Sequence, residues 1–85
     1  MRCRVKVCGI TSVADTQMVC AAGVDAIGLV FYPKSKRHLE IEQARAICRA
    51  TSPFVTTVGL FLDAQADFVH EVLAAVPLDI LQFHG

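Results

Sequence analysis

A thiol and an ammonium group lie two residues apart in a short β-branched segment near the start of the chain. Residues 4–11 read Arg-Val-Lys-Val-Cys-Gly-Ile-Thr, and the alternation of a strand puts Lys6 and Cys8 on the same face. The ammonium group and the positive end of a helix that starts near Ser12 both stabilise a thiolate. We therefore predict that Cys8 carries out chemistry. The competing interpretation is a small, buried hydrophobic side chain.

A basic loop follows the second apolar segment. Residues 32–38 read Tyr-Pro-Lys-Ser-Lys-Arg-His, which gathers positive charge at the end of a predicted strand. Arg37 is the residue best suited to a carboxylate ligand, because its planar group donates two parallel hydrogen bonds, whereas Lys34 and Lys36 act as point charges. The alternative is a solvated surface loop, which is the usual place for such a run of charges.

Two polar side chains share one face of the last predicted strand. Alternation over residues 78–84 places Gln82 and His84 on the same side as Ile80. Polar groups on one face at the end of an otherwise apolar strand indicate a wet or functional interior there.

The composition excludes several classes of partner. Eight basic and eight acidic side chains cancel, so no overall charge favours nucleic acid or an anionic membrane. Charged and amide side chains interrupt every apolar run before it reaches the roughly 20 residues that span a bilayer. The N-terminal residues lack the apolar core of a secretory signal, so we predict a cytoplasmic protein.

The cysteines are read as reduced thiols. Cys3, Cys8, Cys20 and Cys48 form no C-x-x-C pair, and the three histidines show no zinc-like spacing. We therefore predict no metal site and set aside a thiol- or metal-binding protein.

Strands and helices alternate along the chain. We predict strands over residues 4–8, 26–31, 54–62 and 78–83, and helices over residues 13–22, 41–50 and 66–76. The residues predicted to face the core are Ala14, Met18, Ala21 and Ala22 in the first helix, Ala44, Ile47 and Cys48 in the second, and Val69, Val72, Leu73 and Val76 in the third. Gly28, inside the second strand, has no side chain and indicates a close approach to a packed helix or to a ligand, with simple packing space as the alternative.

The order β-α-β-α-β-α-β predicts an α/β fold with right-handed parallel crossovers. A doubly wound open sheet would usually carry a G-x-G-x-x-G turn after the first strand, and Cys-Gly-Ile-Thr contains none. The alternative is the N-terminal half of a (β/α)8 barrel, whose functional residues come from the C-terminal ends of the strands. Cys8, the basic loop and His84 all lie at such ends, so we treat residues 1–85 as a single partial domain.

Three motifs in this order resemble the N-terminal half of the phosphoribosylanthranilate isomerases. They are Lys-Val-Cys-Gly-Ile-Thr at residues 6–11, Ala-Gly-Val-Asp-Ala-Ile-Gly-Leu-Val-Phe-Tyr-Pro-Lys-Ser-Lys-Arg at residues 22–37, and Leu-Gln-Phe-His-Gly at residues 81–85. The resemblance implies a (β/α)8 barrel that catalyses the Amadori rearrangement of N-(5′-phosphoribosyl)anthranilate in tryptophan biosynthesis, without a metal or organic cofactor. The substrate it implies is a small phosphosugar.

The resemblance also implies roles for individual residues. Cys8 matches the general base that removes the C2′ proton, and Arg37 matches the arginine that meets the anthranilate carboxylate. Gln82 and His84 match positions that face the barrel interior near the substrate. The chain departs from the family at residues 40–41, where Ser-Pro is common, and at residues 62–63, where Val-Asn is common.

The sequence predicts four of the eight strands of such a barrel. The family's general acid and its phosphate-binding loops belong to later strands, so we predict that these 85 residues are inactive alone and self-associate through open sheet edges. Two alternatives stay open: another phosphosugar barrel enzyme, such as a ribulose-phosphate epimerase or an indoleglycerol-phosphate synthase, and a noncatalytic half-barrel assembly module.

Overall fold

The computed structural model describes residues 4–84, in which four parallel strands alternate with three helices. The strands are β1 (Lys6–Cys8), β2 (Ala26–Val30), β3 (Thr56–Leu62) and β4 (Ile80–His84), and the helices are α1 (Val13–Ala21), α2 (Ile41–Ala50) and α3 (Ala66–Ala75). The predicted order of elements is confirmed. The first, third and fourth strands each begin two residues later than predicted, and β4 continues to His84.

The strands lie in the sheet in the order in which they occur in the chain. Each neighbouring pair is parallel, and the sheet order is β1-β2-β3-β4. Every crossover therefore moves one strand in the same direction, whereas a doubly wound sheet reverses direction partway. This topology confirms the half-barrel and excludes the open doubly wound sheet.

One face of the sheet packs against the helices and forms the core. In and directly after β2, Ile27, Leu29 and Phe31 are at most 1% exposed. The ring of Phe61 in β3 stacks on that of Phe31, with the ring centroids 5.3 Å apart. The helices contribute the buried residues Ala44, Ile47, Val72 and Val76. The alternate residues of the strands, including Cys8, point to the other face of the sheet.

That other face is concave. The Nζ atom of Lys6 in β1 donates a hydrogen bond of 3.1 Å to Oε1 of Gln82 in β4, although three strand spacings, roughly 14 Å along the sheet, separate these strands. Side chains perpendicular to a flat sheet would not meet over that distance. The bond therefore requires a sheet that curves toward this side, as half of a barrel does.

The predicted core face of α1 is wrong. Ala14, Met18 and Ala21 are exposed, and the helix packs through Thr16, which is fully buried, and through Val19. The buried hydroxyl of Thr16 is satisfied by donating to the carbonyl of Ser12 at 2.8 Å.

The predicted faces of the other two helices are confirmed except at Leu73. The side chain of Leu73 is 39% exposed, and Phe68 packs against the core instead, edge to face with the ring of Phe61. The start of α2 has a cap despite its departure from the family pattern, because the Gln43 side chain accepts a 3.0 Å hydrogen bond from the backbone N–H of Glu40.

Two aspartates fasten the N-terminal ends of the strands. Asp25, just before β2, accepts the backbone N–H of Val5 at 2.7 Å through its carboxylate. Asp79, just before β4, accepts the backbone N–H of Thr57 at 2.9 Å and its hydroxyl at 3.2 Å. An aspartate that accepts a backbone N–H in or directly before the neighbouring strand therefore occurs in both the first and the third βαβ unit, at the end of the sheet opposite the candidate site.

Candidate functional site

Cys8 ends β1 on the concave face, where its side chain is exposed. Gly28 lies beside it in β2, and a Cβ atom at that position would come within 3.0 Å of the Cys8 Sγ and 2.9 Å of Leu60. The absence of a side chain at Gly28 thus makes room for the thiol. The close approach predicted at Gly28 is present, but the approaching atoms belong to Leu60 and Cys8 of the two neighbouring strands and not to a packed helix or a ligand.

The turn after Cys8 is held against β2. The backbone N–H groups of Gly9 and Ile10 both donate to the Gly28 carbonyl, at 3.0 and 3.3 Å. Gly9 has a φ angle of +81°, a backbone conformation that residues other than glycine rarely adopt. This turn fixes the direction in which the chain leaves the thiol.

Arg37 lies directly over that turn. A Cβ atom on Gly9 would overlap Cδ of Arg37 and would approach its Nε and a terminal nitrogen to 3.2 Å. The guanidinium group therefore reaches the residue that follows Cys8, although 28 positions separate Gly9 from Arg37 in the chain. A thiol and a two-pronged cation thus occur together at the C-terminal ends of β1 and β2.

The basic loop is anchored at both ends. The backbone N–H of Ser35 donates to the Tyr32 carbonyl at 3.0 Å, and the Ser35 hydroxyl accepts the backbone N–H of Arg37 at 3.1 Å. Beyond the loop, the N–H of Leu39 donates to the Val30 carbonyl at 2.9 Å, and Leu39 is 2% exposed. The backbone that carries Arg37 is therefore tied to the sheet, while its side chain is exposed.

Gln82 and His84 form a hydrogen-bonded pair on the concave face. Gln82 Nε2 lies 3.1 Å from His84 Nε2, and Gln82 Oε1 accepts the bond from Lys6. His84 also lines a recess of about 240 Å³ with Tyr32 and Ser35 of the basic loop. Within residues 4–84, no hydrogen bond links Cys8 to Gln82 or His84, so the thiol with Arg37 and the amide with the imidazole are two separate groups at one end of the sheet.

The other described cysteines are packed against the core. Cys20 and Cys48 are free thiols that contact the hydrophobic cluster, and Cys3 lies outside the described residues. Burial raises the pKa of Cys48 to about 11, and the nearby carboxylate of Asp79 adds to the shift. Cys48 is therefore a poor nucleophile at neutral pH.

Sequence reasoning missed two parts of this site. Gly9 serves as the surface on which Arg37 lies, and a glycine directly after the candidate base was the available signal. Lys6 was read only as a neighbour of Cys8, whereas its ammonium group bonds Gln82 at the far edge of the sheet. In residues 4–84 there is no helix long and apolar enough to cross a bilayer, and no group of three metal-ligating side chains.

Residues 5–85 match the family model described as N-(5'phosphoribosyl)anthranilate (PRA) isomerase. The chain belongs to the PRA isomerase family. The resemblance that the three motifs carry is confirmed, and it extends over nearly the whole chain.

Named relatives agree with this assignment. The chain is 60% identical over 85 residues to the N-(5'-phosphoribosyl)anthranilate isomerase of Thiobacillus denitrificans, covering all of this chain and 42% of that protein. It superposes on the phosphoribosyl anthranilate isomerase of Thermotoga maritima with a TM-score of 0.93 and 43% identity, covering 99% of this chain and 41% of that one. The chain thus spans about two fifths of the length of these relatives.

A further solved structure includes a bound ligand. This phosphoribosyl anthranilate isomerase, in complex with reduced 1-(o-carboxyphenylamino)-1-deoxyribulose 5-phosphate, superposes on 99% of the chain with a TM-score of 0.93 and 43% identity; the match spans 43% of its own length.

Proposed function

We propose that these residues supply the general base and the carboxylate-binding group of a PRA isomerase. The observation that carries the proposal is the position of the Arg37 guanidinium over Gly9, the residue that follows Cys8. The ligand of the related structure has a carboxyphenylamino group attached to a phosphorylated sugar chain. A substrate of that shape needs a cation for its carboxylate close to the base that acts on its sugar.

In the proposed reaction, the furanose ring of the substrate opens and the C2′ carbon then loses a proton to the enzyme. An acid protonates the furanose oxygen, the ring opens to a protonated imine, and the Cys8 thiolate removes the C2′ proton. The resulting enolamine then tautomerises to the ketone. The imine makes the C2′ proton acidic, so a base of moderate strength is sufficient.

Arg37 would orient the substrate through its carboxylate. Two parallel N–H···O bonds from one guanidinium group fix both the position and the plane of a carboxylate. Because Arg37 lies over the turn that follows Cys8, a carboxylate bound there would bring the attached amino sugar toward the thiol. Gln82 and His84 would contact the substrate from the opposite edge of the concave face.

The activity is proposed for a complete barrel. The acid and the phosphate-binding loops of the family belong to later strands, so the test needs them. A suitable complete enzyme joins residues 1–85 to the C-terminal remainder of the Thiobacillus denitrificans relative.

In that enzyme we expect Cys8→Ser to lower kcat by at least about a hundredfold, because general base catalysis contributes on the order of 10² to 10⁴. Steady-state turnover of N-(5′-phosphoribosyl)anthranilate measures the effect. Cys20→Ser is the matched control and should keep kcat near that of the parent, since Cys20 packs against the core. A Cys8→Ser variant with unchanged kcat would remove Cys8 from the mechanism.

A further inference from the structure

The hydrogen bond from Lys6 determines which way the amide of Gln82 faces. A lysine ammonium group has three donors and no acceptor, so the Gln82 atom that lies 3.1 Å from Nζ is the oxygen. The nitrogen of that amide then faces His84, with Gln82 Nε2 at 3.1 Å from His84 Nε2. Because an amide nitrogen only donates, the His84 Nε2 must accept.

An accepting Nε2 fixes the state of the imidazole. A neutral histidine has one donor and one acceptor nitrogen, and a charged histidine has two donors. With Nε2 as the acceptor, the ring is neutral and its proton is on Nδ1. His84 lines the recess with Tyr32 and Ser35, so this tautomer gives a side chain of the recess an N–H donor at Nδ1.

We propose that Lys6 is a positioning residue, which orients the Gln82 amide and thereby holds His84 as the Nδ1–H tautomer that donates a hydrogen bond to an oxygen of the substrate. The chemical part of this inference rests on the function proposed above, whereas the tautomer of His84 does not. The lysine acts through two other side chains and takes no proton in the reaction.

The first test is a spectroscopic one on the complete enzyme. Nitrogen-15 shifts and long-range proton–nitrogen couplings distinguish a protonated ring nitrogen from a bare one, and loss of a signal in His84→Asn assigns His84. We expect a bare Nε2 and a protonated Nδ1 at neutral pH. A protonated Nε2 in the parent enzyme would overturn the proposal.

Substitutions at Lys6 then test the cause. In Lys6→Met the amide is free to rotate, so we expect His84 to show a mixture of tautomers, while Lys6→Arg, which keeps the donors, should restore the parent spectrum. Arg49→Met removes an exposed cation on α2 and should change nothing. An identical His84 spectrum in Lys6→Met would overturn the proposal.

Reversing the polarity at Gln82 gives a readout that holds even where Lys6→Met fails to fold. In Gln82→Glu the carboxylate accepts from Lys6 and from His84 together, so we expect the proton to move to Nε2. An Nε2 that stays bare in this variant would contradict the chain of hydrogen bonds.

Activity connects the tautomer to catalysis. We expect Lys6→Met to lower kcat/KM by about ten- to a hundredfold, the usual scale for a small misplacement of an active-site group, and Lys6→Arg to recover most of it. A parent enzyme without turnover would refute the proposed function and leave the spectroscopic result standing. A shifted tautomer with unchanged kcat/KM would overturn the positioning role.

Discussion

Arg37 lies at the end of a loop whose backbone is anchored while its guanidinium stays exposed. That combination suits a group that captures a ligand, because the backbone that carries the side chain is anchored and no residue between 4 and 84 accepts a hydrogen bond from the guanidinium group.

We expect Arg37→Ala in the complete enzyme to weaken binding of a reduced, carboxylate-bearing substrate analogue by about tenfold to a hundredfold, since a hydrogen bond to a charged group is worth about 1.5–3 kcal/mol. Arg37→Lys should recover only part of the loss, because lysine keeps the charge and lacks the fork. Titration calorimetry measures both.

An analogue without the carboxylate is the control ligand, and its affinity should barely respond to either substitution. Lys36→Ala, in the same loop, is the matched control protein. Equal affinity of Arg37→Ala and the parent for the carboxylate analogue would return the loop to the solvated-surface interpretation.

In β1 and β4, alternation was sufficient to predict which residues share a face. Period-two reasoning grouped Lys6 with Cys8 and Gln82 with His84 on shared strand faces, and in the structure both groups lie on the concave face. The contact of Arg37 with Gly9 was out of reach, because a pattern along the sequence does not specify where the end of a loop folds back.

At the scale of elements, the helices show where periodicity is and is not sufficient. One side of α2 is apolar and the other is charged, so its buried face was predictable. In α1 the stripe with Met18 and the opposite stripe with Thr16 and Val19 are similarly apolar, and packing on the sheet selected the second. A buried threonine is a poor signal from sequence, since its hydroxyl has to be satisfied by a backbone carbonyl that no pattern indicates.

The aspartate before β4 supports a prediction on stability. Asp79→Ala removes the acceptor for the backbone N–H and hydroxyl of Thr57, which is 5% exposed, so we expect the free energy of unfolding to fall by about 1–3 kcal/mol. Urea unfolding of the complete enzyme measures the change. Glu71→Ala, on the exposed side of α3, should change it by no more than about 0.5 kcal/mol.

The same substitution has a pH-dependent consequence at Cys48. The pKa of this thiol is raised to about 11 from an ordinary value of 9.0, first by burial and then by the charge of Asp79. Unfolding therefore favours ionisation of Cys48, and its contribution to stability is lost as the pH rises from about 9 to about 11. Asp79→Ala should lower this pKa and narrow that window, and a pKa of Cys48 unchanged by the substitution would argue against a role for the carboxylate.

At the scale of the whole molecule, the sheet of residues 4–84 has two unpaired edges. Within residues 4–84, β1 and β4 each pair on one side only, and the large apolar side chains of Val5, Ile80 and Phe83 next to these edges are about half exposed. Unpaired strand edges beside apolar surface are a template for association.

We expect a polypeptide of these 85 residues to self-associate and to show no turnover by itself. Sedimentation velocity over a range of concentrations measures the association, and adding a separately produced C-terminal half should restore activity by closing the barrel. A monomer that catalyses the reaction alone would contradict both the half-barrel requirement and the assignment of the acid to the later strands.

The hydrogen bond from Lys6 to Gln82 joins residues 76 positions apart. Bringing such distant residues together costs loop-closure entropy, and folds that depend on such contacts form slowly. His84 receives its orientation through this bond, so its ring nitrogen signals report on the closing step of folding. Time-resolved refolding of the complete enzyme should show helix formation well before His84 acquires its native tautomer. The His84 ring signals would therefore report when the contact between β1 and β4 forms.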